Sequence, residues 1–230
     1  MDIITPKITA ISIDIFICFF FILKLYFYPK RKENFLANNF LGAAFFLLIF
    51  FILYFFKFPD LFLSYDSNLL IVPTSLSYLS FFIATSFILN IFFKLIYGEY
   101  SKIGLYLGLF LALIVFIIVL LFSLGPALDN SLGLYYWKFP LFVYILIYGI
   151  VILTFIPTAI IFLLRAKDQE GYRIRYLLVS ICFGLWGLGM VFQARPKFYF
   201  ISDPLIILGF LVCLIGVLYH PRTEQTKESS

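Results

Sequence analysis

The sequence is poor in charged residues and contains a single histidine, His220. Only 13% of its 230 residues are charged, whereas a soluble domain of this size carries about 25%. Apolar residues make up 63% of the chain, and a soluble fold cannot hide such an excess because too much of its surface faces water. The composition therefore predicts a chain that is surrounded mainly by lipid.

The missing motifs argue against several kinds of chemistry. One histidine cannot supply the paired ligands of a haem, or the two histidines of an HExxH zinc site. There is no Gly-x-Ser-x-Gly elbow for a nucleophilic serine, and no apolar run carries two acidic residues. The last apolar run has no lysine, which excludes a retinal Schiff base of the rhodopsin kind. We therefore expect no enzyme activity, no cofactor and no metal site.

The three cysteines, Cys18, Cys182 and Cys213, all lie inside apolar runs. None is spaced with another cysteine or with the histidine as a zinc site or a disulfide framework requires. A free cysteine in such a setting behaves as a small buried apolar residue. The cysteines therefore give no indication of the redox compartment.

Seven apolar runs, each about 20 residues long, match the thickness of a bilayer core. Their backbone groups must be satisfied within the membrane, which requires helices or barrel strands, and the absence of a two-residue alternation disfavours strands. We predict an all-α, polytopic transmembrane bundle in a single domain, residues 1–220, with a short polar cytoplasmic tail, residues 221–230. The helices are expected at residues 9–28, 40–58, 76–97, 105–124, 141–164, 174–192 and 204–220.

Glycine, proline and polar residues predict where several helices begin and end. Gly125 and Pro126 end the fourth run, since glycine permits a left-handed cap and proline cannot continue a helix. Asp203 and Pro204 are typical of an N-cap followed by the first helical position. Further breaks are expected at residues 30–32, at residues 38–39 and at Pro73, which either starts the third helix early or kinks it.

The basic residues predict an orientation. With the termini on opposite sides, twelve of the 17 Lys and Arg residues fall on one side and five on the other. The positive-inside rule places the larger set in the cytoplasm, so the N-terminus is expected outside and the C-terminus inside the cell membrane. The smaller set comprises Lys7, Lys57, Lys138, Arg195 and Lys197.

Asp14 is the most informative single residue because it interrupts the first apolar run. It lies about 6 Å outward of the midplane at 1.5 Å per residue, where an acid costs on the order of 2.5–3.5 kcal/mol. We expect it to face the bundle interior, paired with hydroxyls such as Ser80, Thr85 or Thr154, or carrying a proton. The alternative is that water simply reaches the outer end of this helix.

Asn90 lies in the third run and has two interpretations. A buried asparagine commonly joins two helices by a hydrogen bond that contributes about 0.6 kcal/mol; alternatively, it contacts a ligand. Together, Asp14, Ser80 and Asn90 form the candidate ligand-binding set.

Stripes of small residues predict close contacts between helices. One stripe comprises Gly104, Gly108 and Ala112, and a shorter one begins with Ser180 and Gly184.

The last two runs carry a family resemblance. These runs resemble the last two helices of prokaryotic seven-helix sensor modules that precede histidine kinases. The resemblance rests on the basic segment Arg173 to Leu178, on Gly184, Gly187 and Gly189, and on the segment 203–209. The resemblance implies a sensor without an output domain of its own. The signal would then pass to a separate protein through the cytoplasmic segment containing Arg173 and Arg175.

Three functions remain open. The first is a stand-alone sensor or receptor-like module of unknown ligand, and the second is a transporter or channel component, which needs a continuous polar path. The third is a scaffold that binds other membrane proteins through its small-residue stripes. The expected partners are the lipid bilayer and a separate signalling or membrane protein; nucleic acid is not expected because the basic residues lie in short loops.

Overall fold

A computed structural model describes residues 4–28, 34–55, 71–98, 101–129, 134–168, 170–192 and 198–218. The predicted bundle of seven helices is confirmed, and a short hairpin that was not predicted joins the fourth helix to the fifth. The elements are α1 (Ile4–Tyr26), α2 (Phe35–Phe55), α3 (Ile71–Tyr97), α4 (Ser101–Phe122), β1 (Pro126–Asp129), β2 (Leu134–Trp137), α5 (Leu141–Asp168), a 3-10 turn (Glu170–Tyr172), α6 (Arg173–Phe192) and α7 (Tyr199–Leu218).

Six of these helices are long and apolar enough to cross a membrane, and α7 has a shorter apolar stretch, Phe200–Gly216. The outward faces carry large apolar side chains that no other part of the described chain covers, such as Phe16 at 63% and Leu153 at 72% exposure. Extended apolar surface of this kind is incompatible with water. The protein is therefore a multi-pass membrane protein.

The two ends of the bundle differ in charge. We call the end that carries the β1–β2 hairpin the hairpin side, and the opposite end the basic side. The Lys and Arg residues that the structure places on the basic side are Lys24, Lys94, Lys102, Arg165, Lys167, Arg173 and Arg175.

The helices form a closed ring with one member outside it. Consecutive helices pack as neighbours, α1 also contacts α7, and α3 also contacts α5. Helix α4 packs almost entirely on α3 and only slightly on α5. The ring therefore comprises α1, α2, α3, α5, α6 and α7, and α4 lies outside against α3.

The contact between α3 and α4 depends on two glycines. A methyl group at Gly108 would lie 2.6 Å from the Cα of Ser86, and one at Gly104 would lie 2.7 Å from the carbonyl oxygen of Leu89. No real Cβ approaches backbone so closely, so the first predicted stripe is a close helix contact. The close contact predicted for the second stripe is wrong at Gly184, where an added methyl group would meet nothing within 4 Å.

Several helix ends differ from the prediction. Residues 38–39 lie within α2, because Asn34 caps that helix earlier: its Oδ1 accepts a hydrogen bond from the Ala37 amide at 3.1 Å. Helix α3 begins at Ile71, so Pro73 lies in its first turn, where an amide hydrogen would have no helical partner. Helix α7 begins at Tyr199, so Asp203 is not its N-cap and Pro204 lies inside the helix.

The hairpin begins at Gly125, whose φ of 86° is left-handed, as expected for a helix-ending glycine. Its strands are antiparallel, with Pro126 opposite Trp137. The chain leaves it at Phe139, whose ring packs edge-on against Tyr78 of α3 at 5.7 Å and Tyr144 of α5 at 5.6 Å. The hairpin therefore returns the chain from the outer helix α4 to the ring.

The α3–α4 contact predicts a contrast between two alanine substitutions. We expect Gly108→Ala to destabilise the protein by about 1–3 kcal/mol, because the added methyl group must push α3 and α4 apart. Gly184→Ala should leave stability unchanged or raise it by up to about 1 kcal/mol, through helix propensity alone. Thermal unfolding of both purified variants in detergent measures this difference, and equal unfolding temperatures would contradict the close contact.

Candidate functional site

Asp14 lies in the buried stripe of α1. Residues spaced three and four apart along this helix, among them Ile11, Cys18, Phe21 and Leu25, all face the interior. Asp14 falls on the same face, and its side chain is only 3% exposed. Its Oδ1 atom has no hydrogen-bond partner. The carboxyl group therefore lies inside the bundle, in the setting where an acid is most costly.

A second acidic residue, on α7, interacts electrostatically with Asp14. The carboxyl group of Asp203 lies within electrostatic range of Asp14, and its Oδ1 accepts a hydrogen bond from the Ser202 hydroxyl at 3.1 Å. Two acidic side chains thus face the contact between α1 and α7. The sequence does not predict this pair, because Asp203 followed by Pro204 is typical of a helix N-cap.

The hydroxyls proposed as partners for Asp14 do not bond its Oδ1. Helix α1 packs mainly on α2 and α7, whereas Ser80 and Thr85 lie on α3 and Thr154 lies on α5. The Thr85 hydroxyl instead donates to the carbonyl oxygen of Phe81 in its own helix, at 2.8 Å. The role of Ser80 in ligand binding stays a prediction.

Asn90 lies in the basic-side half and joins two helices. Its Nδ2 donates to Oδ1 of Asn39 at 2.8 Å, and Nδ2 of Asn39 donates to the carbonyl oxygen of Phe35 at 2.8 Å. Asn90 is ten residues from Ser80 on one helix, about 15 Å along the axis. The structure therefore does not bring these two predicted site residues together, and the hydrogen bond fits the packing interpretation of Asn90.

Buried polar atoms without a partner are concentrated toward the hairpin side. Such atoms are rare in folded proteins, and each is explained by strain, water or a ligand. Four of the five that the described part of the chain contains lie in the hairpin-side half, and the fifth is Asn90 Oδ1. The four are Asp14 Oδ1, Thr74 Oγ1, Ser75 Oγ and Trp186 Nε1, which we call the unpaired polar layer.

Asp14 and Trp186 lie at the same depth in this layer. Cys18 of α1 lies near Cys213 of α7, which also interacts with Cys182 of α6, so Cys18 and Cys182 share a depth. Asp14 precedes Cys18 by four residues on α1 and Trp186 follows Cys182 by four on the antiparallel α6, so each lies about 6 Å further toward the hairpin side. One offers an acceptor and the other a donor, so a small polar molecule at this depth has the chemistry to satisfy both.

The predicted partner-binding arginines lie at the first turn of α6 on the basic side. Arg173 is exposed and Arg175 is half-buried. Nearby Arg165 lies in the last turn of α5, where a cation is favoured, and its guanidinium donates to the Leu95 carbonyl oxygen of α3 at 2.9 Å. Arg165 thus has a structural role in capping α3.

The structure brings two cysteines together. In the antiparallel contact between α6 and α7, Gly189 faces Ile206, Trp186 faces Gly209 and Val179 faces Gly216. The same register places Cys182 opposite Cys213, and their thiols lie close enough to interact. Cys18 of α1 also lies near Cys213. Sequence spacing could not reveal this convergence, because it follows from the register of packed helices.

The sequence matches no protein-family model, and no curated protein is similar to it.

The opposed cysteines predict an intramolecular cross-link. Treatment of the full-length protein with iodine, a lipid-soluble two-electron oxidant, should convert the Cys182 and Cys213 thiols to a disulfide and release two protons and two iodide ions. Intact mass should fall by about 2 Da, since a disulfide forms between residues held in contact. Cys18→Ala should retain the cross-link and Cys182→Ala should lose it; the reverse pattern would contradict this register.

The asparagine pair predicts a measurable coupling. Asn39→Leu and Asn90→Leu should each destabilise the bundle, and the double variant should lose less than the sum of the two. The difference should be about 0.6 kcal/mol, the usual value for a hydrogen bond between membrane helices. Unfolding in detergent gives the four stabilities of the cycle. Strict additivity would show that the hydrogen bond contributes nothing.

Proposed function

We propose that the protein is a sensor or receptor-like module that binds a small ligand in the hairpin-side half of its bundle. The observation that carries this proposal is Asp14, a buried acidic side chain with an unpaired oxygen inside an apolar bundle. An acid in lipid is costly and marks a functional position in membrane proteins. The proposed protein has no chemistry of its own, and it passes a signal by moving its helices.

The centre of the bundle is filled by aromatic rings, which favours a sensor over a transporter. Phe183 of α6 packs on Phe40 of α2 at 6.1 Å and on Phe155 of α5 at 6.0 Å. Trp186 packs on Phe210 of α7 at 4.6 Å. Well-packed rings of this kind exclude water. They separate the unpaired polar layer from the asparagine pair on the basic side.

The buried hydroxyls also fail to build a polar path. The hydroxyls of Ser86 and Thr158 donate to carbonyl oxygens of their own helices, at 2.8 and 2.6 Å. The Ser77 hydroxyl does the same at 2.7 Å. Serine and threonine in such contacts satisfy themselves locally. Their protons are therefore committed, and they do not form a relay from one side to the other.

The contacts of α7 suggest how a signal leaves the site. Helix α7 faces Asp14 through Asp203 on one flank and packs against α6 through Gly189 and Gly209 on the other. Helix α6 begins on the basic side with Arg173. We propose that a ligand bound between α1 and α7 shifts α7, and with it the basic start of α6. The basic side faces the cytoplasm of a cell membrane, where a separate signalling protein binds.

A second candidate is a cation-coupled transporter or channel component. It is favoured by one observation: the buried Asp14 and the half-buried Asp203 lie within electrostatic range of each other on two packed membrane helices, and acidic residues in such helices are typical of ion and proton pathways. It requires the aromatic rings at the centre to part during transport.

Flux measurements separate the two candidates. In vesicles reconstituted with the protein, we expect H⁺ and Na⁺ flux no greater than in empty vesicles, because the aromatic centre is closed. Flux that exceeds this background and disappears in Asp14→Leu would identify a transporter.

A companion measurement in the native membrane addresses the sensor itself. Asp14→Leu should insert and fold normally but abolish the signalling response, whereas Arg173→Ala with Arg175→Ala should retain ligand binding and lose the response. Lys138→Ala, the matched control on the hairpin side, should change neither ligand binding nor the signalling response. A normal response in Asp14→Leu would remove the proposed site.

A further inference from the structure

The surroundings of Asp14 restrict the charge of any ligand. Neither of the helices that pack most on α1 contains a lysine or arginine: α2 and α7 have none over their whole length. On α1 itself, the basic residues are Lys7 and Lys24, about 10 and 15 Å from Asp14 along the axis. The charged group that acts on Asp14, Asp203, has the same sign as Asp14. Within the described parts of α2 and α7, therefore, no basic side chain balances the charge of an ionised Asp14.

The donor set also restricts the kind of cation. Calcium takes six to eight oxygen ligands and magnesium a near-ideal octahedron. Among the described residues, no three His, Cys, Asp or Glu side chains are grouped as a metal site requires. An ammonium group needs less: one carboxylate for charge, a few acceptors for its hydrogens, and apolar or aromatic surroundings for its carbon atoms.

Asp14 and its neighbours on α6 and α7 supply those elements. Asp14 offers an unbonded carboxyl oxygen, and Asp203 of α7, which interacts with Asp14 electrostatically, offers a second carboxyl group. Trp186 lies at the depth of Asp14, next to the ring of Phe210. Its unpaired Nε1 hydrogen provides a donor for a ligand atom that accepts a hydrogen bond.

We propose that the Asp14 site binds a small organic ammonium ion, with Asp14 as the main counter-ion and Asp203 as the second carboxyl group. This inference rests on the proposed ligand site and names its ligand class. Binding places one positive charge between two acidic side chains of α1 and α7. It therefore adds an attraction that α1 and α7 share.

Trp186 gives a direct readout. The chain has two tryptophans, Trp137 and Trp186, so a Trp137→Phe background leaves Trp186 as the only reporter at the depth of the site. The probe is benzylammonium chloride, added to the full-length protein in detergent. Benzyl alcohol, an uncharged molecule of similar shape, and sodium chloride at equal ionic strength serve as the comparison solutes.

We expect a saturable change in Trp186 fluorescence with benzylammonium alone. Asp14→Asn, which keeps the side-chain size, should weaken binding at least tenfold, and Asp203→Asn should weaken it less. Asp168→Asn, an exposed acid on the basic side, should have no effect. Thermal unfolding of each variant checks that the fold is retained.

Three results would overturn the proposal. An equal response to sodium chloride would show a site for inorganic cations, and an equal response to benzyl alcohol would show only apolar partition. Undiminished binding in Asp14→Asn would place the ammonium elsewhere. The effect of Asp14→Leu on the signalling response is measured separately. If that variant loses the response but benzylammonium does not bind, the ammonium proposal is wrong and the proposed sensor function still stands.

Discussion

Lipid offers no hydrogen bonds, and this constraint governs the whole structure. Every buried polar group must find its partner inside the bundle, or it remains unpaired at a cost. Most groups do find one: hydroxyls bond the carbonyl oxygens of their own helix, Asn39 and Asn90 bond each other, and Arg165 caps α3. Few atoms remain unpaired, and the proposed ligand site is built around one of them, Asp14 Oδ1.

The second determinant is the close approach of helices, since lipid provides no hydrophobic drive for helix association. Helix α4 is held by Gly104 and Gly108 against the backbone of α3, and α7 by Gly209 and Gly216 against α6. The latter contact fixes a register that aligns two cysteines and connects the acidic pair to the basic start of α6. Packing and the proposed signal route therefore share the same residues.

The sequence predicts the number and class of elements well and their ends less well. The lengths of the apolar runs predict seven helices, because a membrane-spanning helix must be as long as the bilayer core is thick. The ends depend on local contacts that a hydropathy pattern does not contain: Asn34 caps α2 ahead of two other asparagines, and α7 continues through Asp203 and Pro204. The hairpin was missed because its strands are only four residues long.

The candidate site shows the same division. Asp14 could be identified from sequence, because one acid in an apolar run is conspicuous. Its neighbours could not, since depth alone suggested hydroxyls on α3 and α5, whereas the ring order places α1 against α7. Gly184 illustrates the converse: the spacing is typical of a close contact, but a methyl group added there would meet nothing within 4 Å.

The pairing of α1 with α7 has a consequence for biosynthesis. Helix α1 leaves the ribosome well before α7, so the α7 side of Asp14 is uncovered until α7 has entered the bilayer. During that interval α2 is the main packed neighbour of α1, and α2 carries no charged residue. The nascent chain thus exposes an acidic side chain to lipid or to the insertion machinery until α7 is translated.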